Sequence, residues 1–140
     1  MEKVAVYGTL KKGWFWNKMM QKAGAKFVSS DYAEISSMRN IVSDNGDDIG
    51  RSYPHVIFKS GTHNFLLIEI YEVSWENIVK YMDPIEKYTW GNNDPYKRRK
   101  LTTKSGEDVW VYDSNWGEWD DIWDFFTHQE GDNRYYNWID

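Results

Sequence analysis

The chain of 140 residues contains no cysteine. That excludes disulfides, thiolate chemistry and cysteine-based zinc sites. Only three prolines are present, Pro54, Pro84 and Pro95. Apolar runs are short: Phe65–Ile68 is four residues long, far from the roughly 20 a membrane-spanning helix needs. The first residues show no hydrophobic region of signal-peptide type. Positive charge is also in deficit, with a net charge of −5, which argues against general affinity for nucleic acid phosphates. These absences lead us to expect a cytoplasmic protein with no nucleic acid and no membrane partner.

Familiar chemical motifs are missing too. His55, His63 and His128 lack metal-ligand spacing. There is no serine nucleophile elbow and no phosphate-binding Gly-Lys-Ser/Thr loop. The segment Asp44–Gly50 is acidic but lacks the ligand spacing of a calcium loop, and reads as a plain loop.

What is abundant is aromatic mass: 9 Trp, 10 Tyr and 6 Phe. A chain of this length fits one domain, and such side chains fill a small core efficiently. Charge is unevenly spread. Residues 114–140 carry seven acidic side chains against Arg134, and the other 113 residues balance to +1. Lys97-Arg98-Arg99-Lys100 is a basic run. On a strand it would alternate between faces, either as a charged, solvated edge or as an anion-binding patch.

Strand and helix patterns follow from periodicity. Residues 3–8 suit a buried strand. Trp14–Gly24 reads as a short helix, with Phe15, Met19 and Ala23 in register and Gly24 as its stop. Residues 26–42 suit one or two strands, and Tyr53–Phe58 another. Phe65–Val73 is apolar on both faces, as a central strand must be. Ser74 caps a helix predicted to run to Met82, with Ile78, Val79 and Met82 inward. Residues 96–103 and 107–113 pair as a hairpin around Ser105-Gly106. Trp116, Trp119, Trp123 and Phe126 lie at helical spacing. They predict an amphipathic C-terminal helix within 114–140, packed on the rest of the domain. The same aromatic and acidic segment, 116–138, is alternatively a surface for a protein partner.

Two stretches could carry chemistry. Tyr7-Gly8-Thr9-Leu10 ends the first strand at a glycine, which can adopt backbone angles other residues avoid and presents no side chain to a ligand. It is either an ordinary strand and tight turn, or a cradle of backbone N–H groups for a carboxylate or oxyanion. Glu86 lies among Ile85, Tyr88 and Trp90. It could complete a variant capping box with Asp83 and Pro84. Alternatively, its apolar surroundings would raise its pKa towards that of a general base.

Taken together, Tyr7-Gly8-Thr9-Leu10, Gly13 with Asn17, Ile68-Glu69-Ile70-Tyr71-Glu72-Val73, Met82-Asp83-Pro84-Ile85-Glu86-Lys87-Tyr88, Tyr96-Lys97-Arg98-Arg99 and Val109-Trp110-Val111-Tyr112 resemble the gamma-glutamylcyclotransferase-like (AIG2-like) family in order and spacing. The resemblance covers residues 3–113. It implies an α+β fold, a small mixed β-barrel with short flanking helices and a cavity at the end of the first strand. It also implies an enzyme that releases 5-oxoproline from a gamma-glutamyl amine or peptide, with Glu86 as catalytic acid/base. Substrate-binding residues would be Tyr7, Gly8, Thr9, Leu10, Asn17, Tyr88 and Tyr96. The substrate would be a small molecule with a gamma-glutamyl group, and neither metal nor other cofactor is called for. Lys87 stands where the family has Gly, and Lys18 where many members have His. An ion pair between Glu86 and Lys87 would favour the other reading, a cavity protein that sequesters a small molecule or blocks a partner protein.

Overall fold

A computed structural model describes residues 1–8, 17–42, 52–82, 96–114 and 121–138. The order of elements is β1 (Glu2–Val6), α1 (Asn17–Lys22), β2 (Lys26–Val42), β3 (Ser52–Phe58), β4 (Asn64–Val73), α2 (Trp75–Asn77) running into a π turn (Ile78–Met82), β5 (Tyr96–Thr102), β6 (Asp108–Ser114), a 3-10 turn (Asp121–Phe125), β7 (Phe126–Glu130) and β8 (Asn133–Tyr136).

The eight strands form one sheet with the path β3-β2-β4-β1-β6-β5, and the β7–β8 hairpin joins it through β8. β4 is the central strand expected of its two apolar faces. Along one edge it pairs antiparallel with β2, from Glu34↔Phe65 to Lys26↔Glu72. Its other edge is shared: β1 takes Glu69 to Val73, and β8 pairs in parallel with Asn64 to Leu66. β2 is a single strand of 17 residues. Bulges at Phe27/Ser29 and Ile35/Ser37 bend it, so that its first half serves β4 and its second half β3.

Val56 and Phe58 from one end of the path share a core with Val109 and Val111 near the other. The sheet is therefore curled with this face inside, as a mostly-sheet half-barrel with few short helices. Ala5, Tyr7, Ile35, Leu66, Ile68, Ile70, Tyr136 and Trp138 fill the interior. Val4, Val6, Tyr71, Val73 and Tyr112 face the other way, beneath Met20 and Ala23 of the α1 region and Ile78 and Met82 of the π turn. The alternation along β1 and β4 thus feeds two separate cores.

The seam between β3 and the β5–β6 hairpin is closed by side chains. Arg99 Nε donates to Asp113 Oδ2 at 2.6 Å, and its Nη2 donates to the Phe58 carbonyl. Asp113 Oδ1 in turn accepts from Phe58 N at 3.0 Å. The basic run is divided accordingly. Arg99 belongs to this clasp, whereas Arg98 lies over the Trp75 ring at 4.5 Å and Lys100 over Trp110 at 5.1 Å.

The hairpin tip is held by Asp31, which is buried on β2. Its carboxylate accepts from Thr103 Oγ1 at 2.5 Å, from Ser105 Oγ and from the Tyr32 amide at 2.7 Å. Burial acts to raise the Asp31 pKa, but these bonds outweigh it and hold it below 3.8. A carboxylate depressed in the folded state stabilises above its unfolded pKa, and that contribution is lost as pH falls through the folded value. Asp31→Asn is therefore expected to cost about 1–3 kcal/mol near neutral pH. The difference from wild type should shrink below about pH 4. Denaturant unfolding across pH 3–7 checks this, and a pH-independent difference would count against the carboxylate as the latch.

Three sequence expectations are corrected. The C-terminal segment is not an amphipathic helix: among its described residues it holds one 3-10 turn followed by two strands. Trp123 is 58% exposed and so is not core, while Trp138 is fully buried. The Ser74-capped helix does run to Met82, but as a three-residue α turn that widens into the π turn, and Val79 is not inward. The wider turn rotates Val79 outward, leaving Ile78 and Met82 buried.

Candidate active site at the end of the first strand

β1 lies between an antiparallel neighbour, β4, and a parallel one, β6. Its pairing with β4 ends at Val6↔Glu69, and the chain leaves the sheet interior at Tyr7 and Gly8. Tyr7 points into the barrel. Its hydroxyl donates to the Tyr112 carbonyl, and its ring meets Phe58 edge-on at 5.4 Å. Tyr7 is thus part of the wall that fixes where β1 ends.

Gly8 has a reason to be glycine that differs from the expected one. Its φ does not lie in the left-handed region. A Cβ there would stand 2.6 Å from Pro54 Cδ and 2.8 Å from Pro54 Cγ, on β3. The glycine permits two strands to approach each other, so the restriction is steric. Gly8→Val is expected to cost about 1–3 kcal/mol through overpacking. Even Gly8→Ala should be destabilising. Equilibrium unfolding of both variants tests this, and an unchanged Gly8→Ala protein would remove the Pro54 contact as the cause.

Asn17 opens α1 on the outer face of the sheet. Its Nδ2 donates to the Tyr71 hydroxyl at 3.3 Å, and that hydroxyl donates to Glu69 Oε1 at 3.0 Å. Burial, with the Glu69 carboxylate adding to it, pushes the Tyr71 phenol up to about 12, although the Asn17 bond acts in the opposite sense. Tyr71 therefore stays protonated and joins α1 to β4 beside the end of β1. The sequence expectation gave Asn17 a substrate-binding role without this bond. The signal for it was present: Glu69 and Tyr71 are two apart on one strand and so share a face.

The other expected site residues are less fully described. Tyr96 is the first residue of β5 and pairs with Ser114. Glu86, Thr9, Leu10 and Tyr88 lie outside the described residues, as do the 9–16 and 83–95 segments that would line the expected cavity. Among the described residues no group of three or more His, Asp or Glu is placed to hold a metal ion. No helix among them is long and apolar enough to cross a membrane.

Comparison with known proteins bears on this arrangement. The family model for gamma-glutamyl cyclotransferase, AIG2-like, matches residues 4–133. An uncharacterized protein from Pyrococcus horikoshii is similar at 24% identity and a TM-score of 0.56, over 84% of this chain and 81% of that one. A mouse AIG2-like protein is similar at 23% identity and a TM-score of 0.59, over 81% of this chain and 77% of that one. The urea amidolyase of Kluyveromyces lactis shares the fold at 20% identity and a TM-score of 0.63, with 81% of this chain matching 6% of that enzyme. No curated protein matches the chain.

Proposed function

Since the chain belongs to the gamma-glutamyl cyclotransferase, AIG2-like family, we propose that it releases 5-oxoproline from a gamma-glutamyl amine or peptide by intramolecular aminolysis. The observation that carries this reading is the family match over residues 4–133, which takes in both the Tyr7–Leu10 segment and Glu86.

In the proposed reaction the substrate supplies its own nucleophile. Its α-amine attacks the γ-carbonyl carbon, a C–N bond closes the five-membered lactam, and the C–N bond to the leaving amine breaks. The amine arrives protonated, so Glu86 first accepts a proton and then returns it to the departing nitrogen, while the ring nitrogen sheds its second surplus proton to solvent as the lactam forms. Backbone N–H groups of the Tyr7–Leu10 segment hold the substrate carboxylate or the oxyanion. With both reacting groups on one molecule, the protein's main task is to fold that molecule into an attack geometry. The geometry around β1 supports such a site: Tyr7 anchored to Tyr112, Gly8 held against Pro54, and α1 tied to β4 through Asn17 and Tyr71. The proposed setting is the cytoplasm.

The test is incubation of the purified protein with a panel of gamma-glutamyl amines and gamma-glutamyl dipeptides, reading 5-oxoproline by mass spectrometry. Release from one member of the panel, in proportion to protein, is expected. Binding of panel members without release from any of them would overturn the enzymatic reading and favour a sequestering role.

A further inference from the structure

Among the described residues β7 pairs with β8 alone and leaves its other edge open, and all five of its residues are exposed. A bulge between Phe126 and His128 confines its regular ladder to His128–Glu130. Lysine, arginine and proline, which commonly guard such edges, do not occur within it.

At its start sits an aromatic pair. The rings of Trp123 and Phe126 are 5.6 Å apart, and both rest on Tyr136, at 6.2 and 5.9 Å. The Arg134 guanidinium lies 5.6 Å from the Trp123 ring centre. The pair is therefore held in place from below, yet Trp123 remains 58% and Phe126 40% exposed. Contiguous exposed apolar surface beside an unpaired edge is a feature of strand-accepting sites.

Charge selects among possible occupants. Asp124, Glu130 and Asp132 are all exposed around this edge. They belong to the segment 114–140, in which seven acidic side chains face Arg134 as the single Arg or Lys. Arg134 itself is engaged, its Nε donating to Asn64 Oδ1 at 2.8 Å. Pairing of two copies through β7 would bring like charges together, whereas a cationic strand would neutralise them.

We propose that β7 is a docking edge for a protein partner that contributes an extended segment of alternating basic and apolar residues. Main-chain bonds to β7 supply the pairing. An apolar side chain covers Trp123 and Phe126, and Lys or Arg side chains meet Asp124, Glu130 and Asp132. This proposal does not depend on the proposed enzymatic activity.

The test uses the full chain and a fluorescently labelled, end-capped peptide of alternating lysine and valine with one central phenylalanine. Anisotropy should report saturable binding, and backbone NMR shifts should concentrate in residues 126–130. Methylating alternate peptide nitrogens keeps every side chain but removes ladder donors, and should weaken binding about tenfold or more. Trp123→Ala, and separately the pair Asp124→Asn with Glu130→Gln, should each weaken it about threefold to tenfold with at most a small shift in the unfolding midpoint. Three results would overturn the proposal. One is no binding at millimolar peptide. Another is equal affinity for the methylated peptide, which would mean charge attraction alone. The last is a concentration-dependent dimer in sedimentation that Trp123→Ala abolishes, which would make a second copy the occupant.

Discussion

Replacing Glu86 by Gln is expected to lower 5-oxoproline release by about 10²–10⁴-fold, the usual contribution of a well-placed general base. The amide keeps the shape of the side chain and removes its ability to take a proton, so the unfolding midpoint should stay at the wild-type value. KM should change far less than kcat, because the lost interaction matters as the amine attacks. Turnover within about threefold of wild type would remove Glu86 from the base role. The capping-box alternative predicts a different pattern for the same variant: kcat and stability both close to wild type, since Gln fills the N3 position of a capping box as Glu does. Measuring rate and unfolding on one preparation separates the two. Lys87 adds a further check: if it pairs with Glu86, Lys87→Ala should raise the apparent pKa of kcat/KM and leave the maximal rate intact.

The largest stability effect is expected at the other end of the chain. Trp138 is fully buried among Ile122, Phe125, Tyr136 and the interior-facing residues of β2 and β4. Trp138→Ala should cost about 3–5 kcal/mol, since it removes a large ring and leaves a cavity. Trp123→Ala should cost less than about 1 kcal/mol, because most of that ring already meets water. Denaturant unfolding of the two variants side by side is the measurement. A cost at Trp123 comparable to that at Trp138 would contradict the packing described here.

These two tryptophans also mark how far the fold was legible in the sequence. β4 could be read because burial on both faces leaves an unbroken apolar pattern, and the β5–β6 hairpin because Ser105-Gly106 is a local turn signal, with Gly106 at φ +98°. Gly24, at φ +68°, ends α1 as expected of a glycine stop. The C-terminal segment could not be read in the same way. Trp119, Trp123 and Phe126 fit a helical period, but the decisive fact is nonlocal: β1 covers only Glu69–Val73 on its edge of β4, and β8 fills the opening at Asn64–Leu66. Gly131, at φ +58°, allows the tight β7–β8 turn that makes this possible. At the candidate site the motif Tyr7-Gly8-Thr9-Leu10 was visible, but the partners of its first two residues were not. Tyr112 and Pro54 are distant in sequence and are brought there by the curl of the sheet.

The parallel pairing of Val4 with Trp110 has a consequence for biosynthesis. On the ribosome, β1 emerges before both of its partners and can join β4 once residues near 70 are out, but its second edge waits until β6, with Trp110, has been made. During that interval a short apolar strand is paired on one side only, with Val4 and Val6 still lacking Tyr112 in their core. Non-local pairings of this kind slow folding and leave unpaired strands exposed while the chain is incomplete. Nascent chains truncated between β4 and β6 are therefore the species on which a chaperone should act.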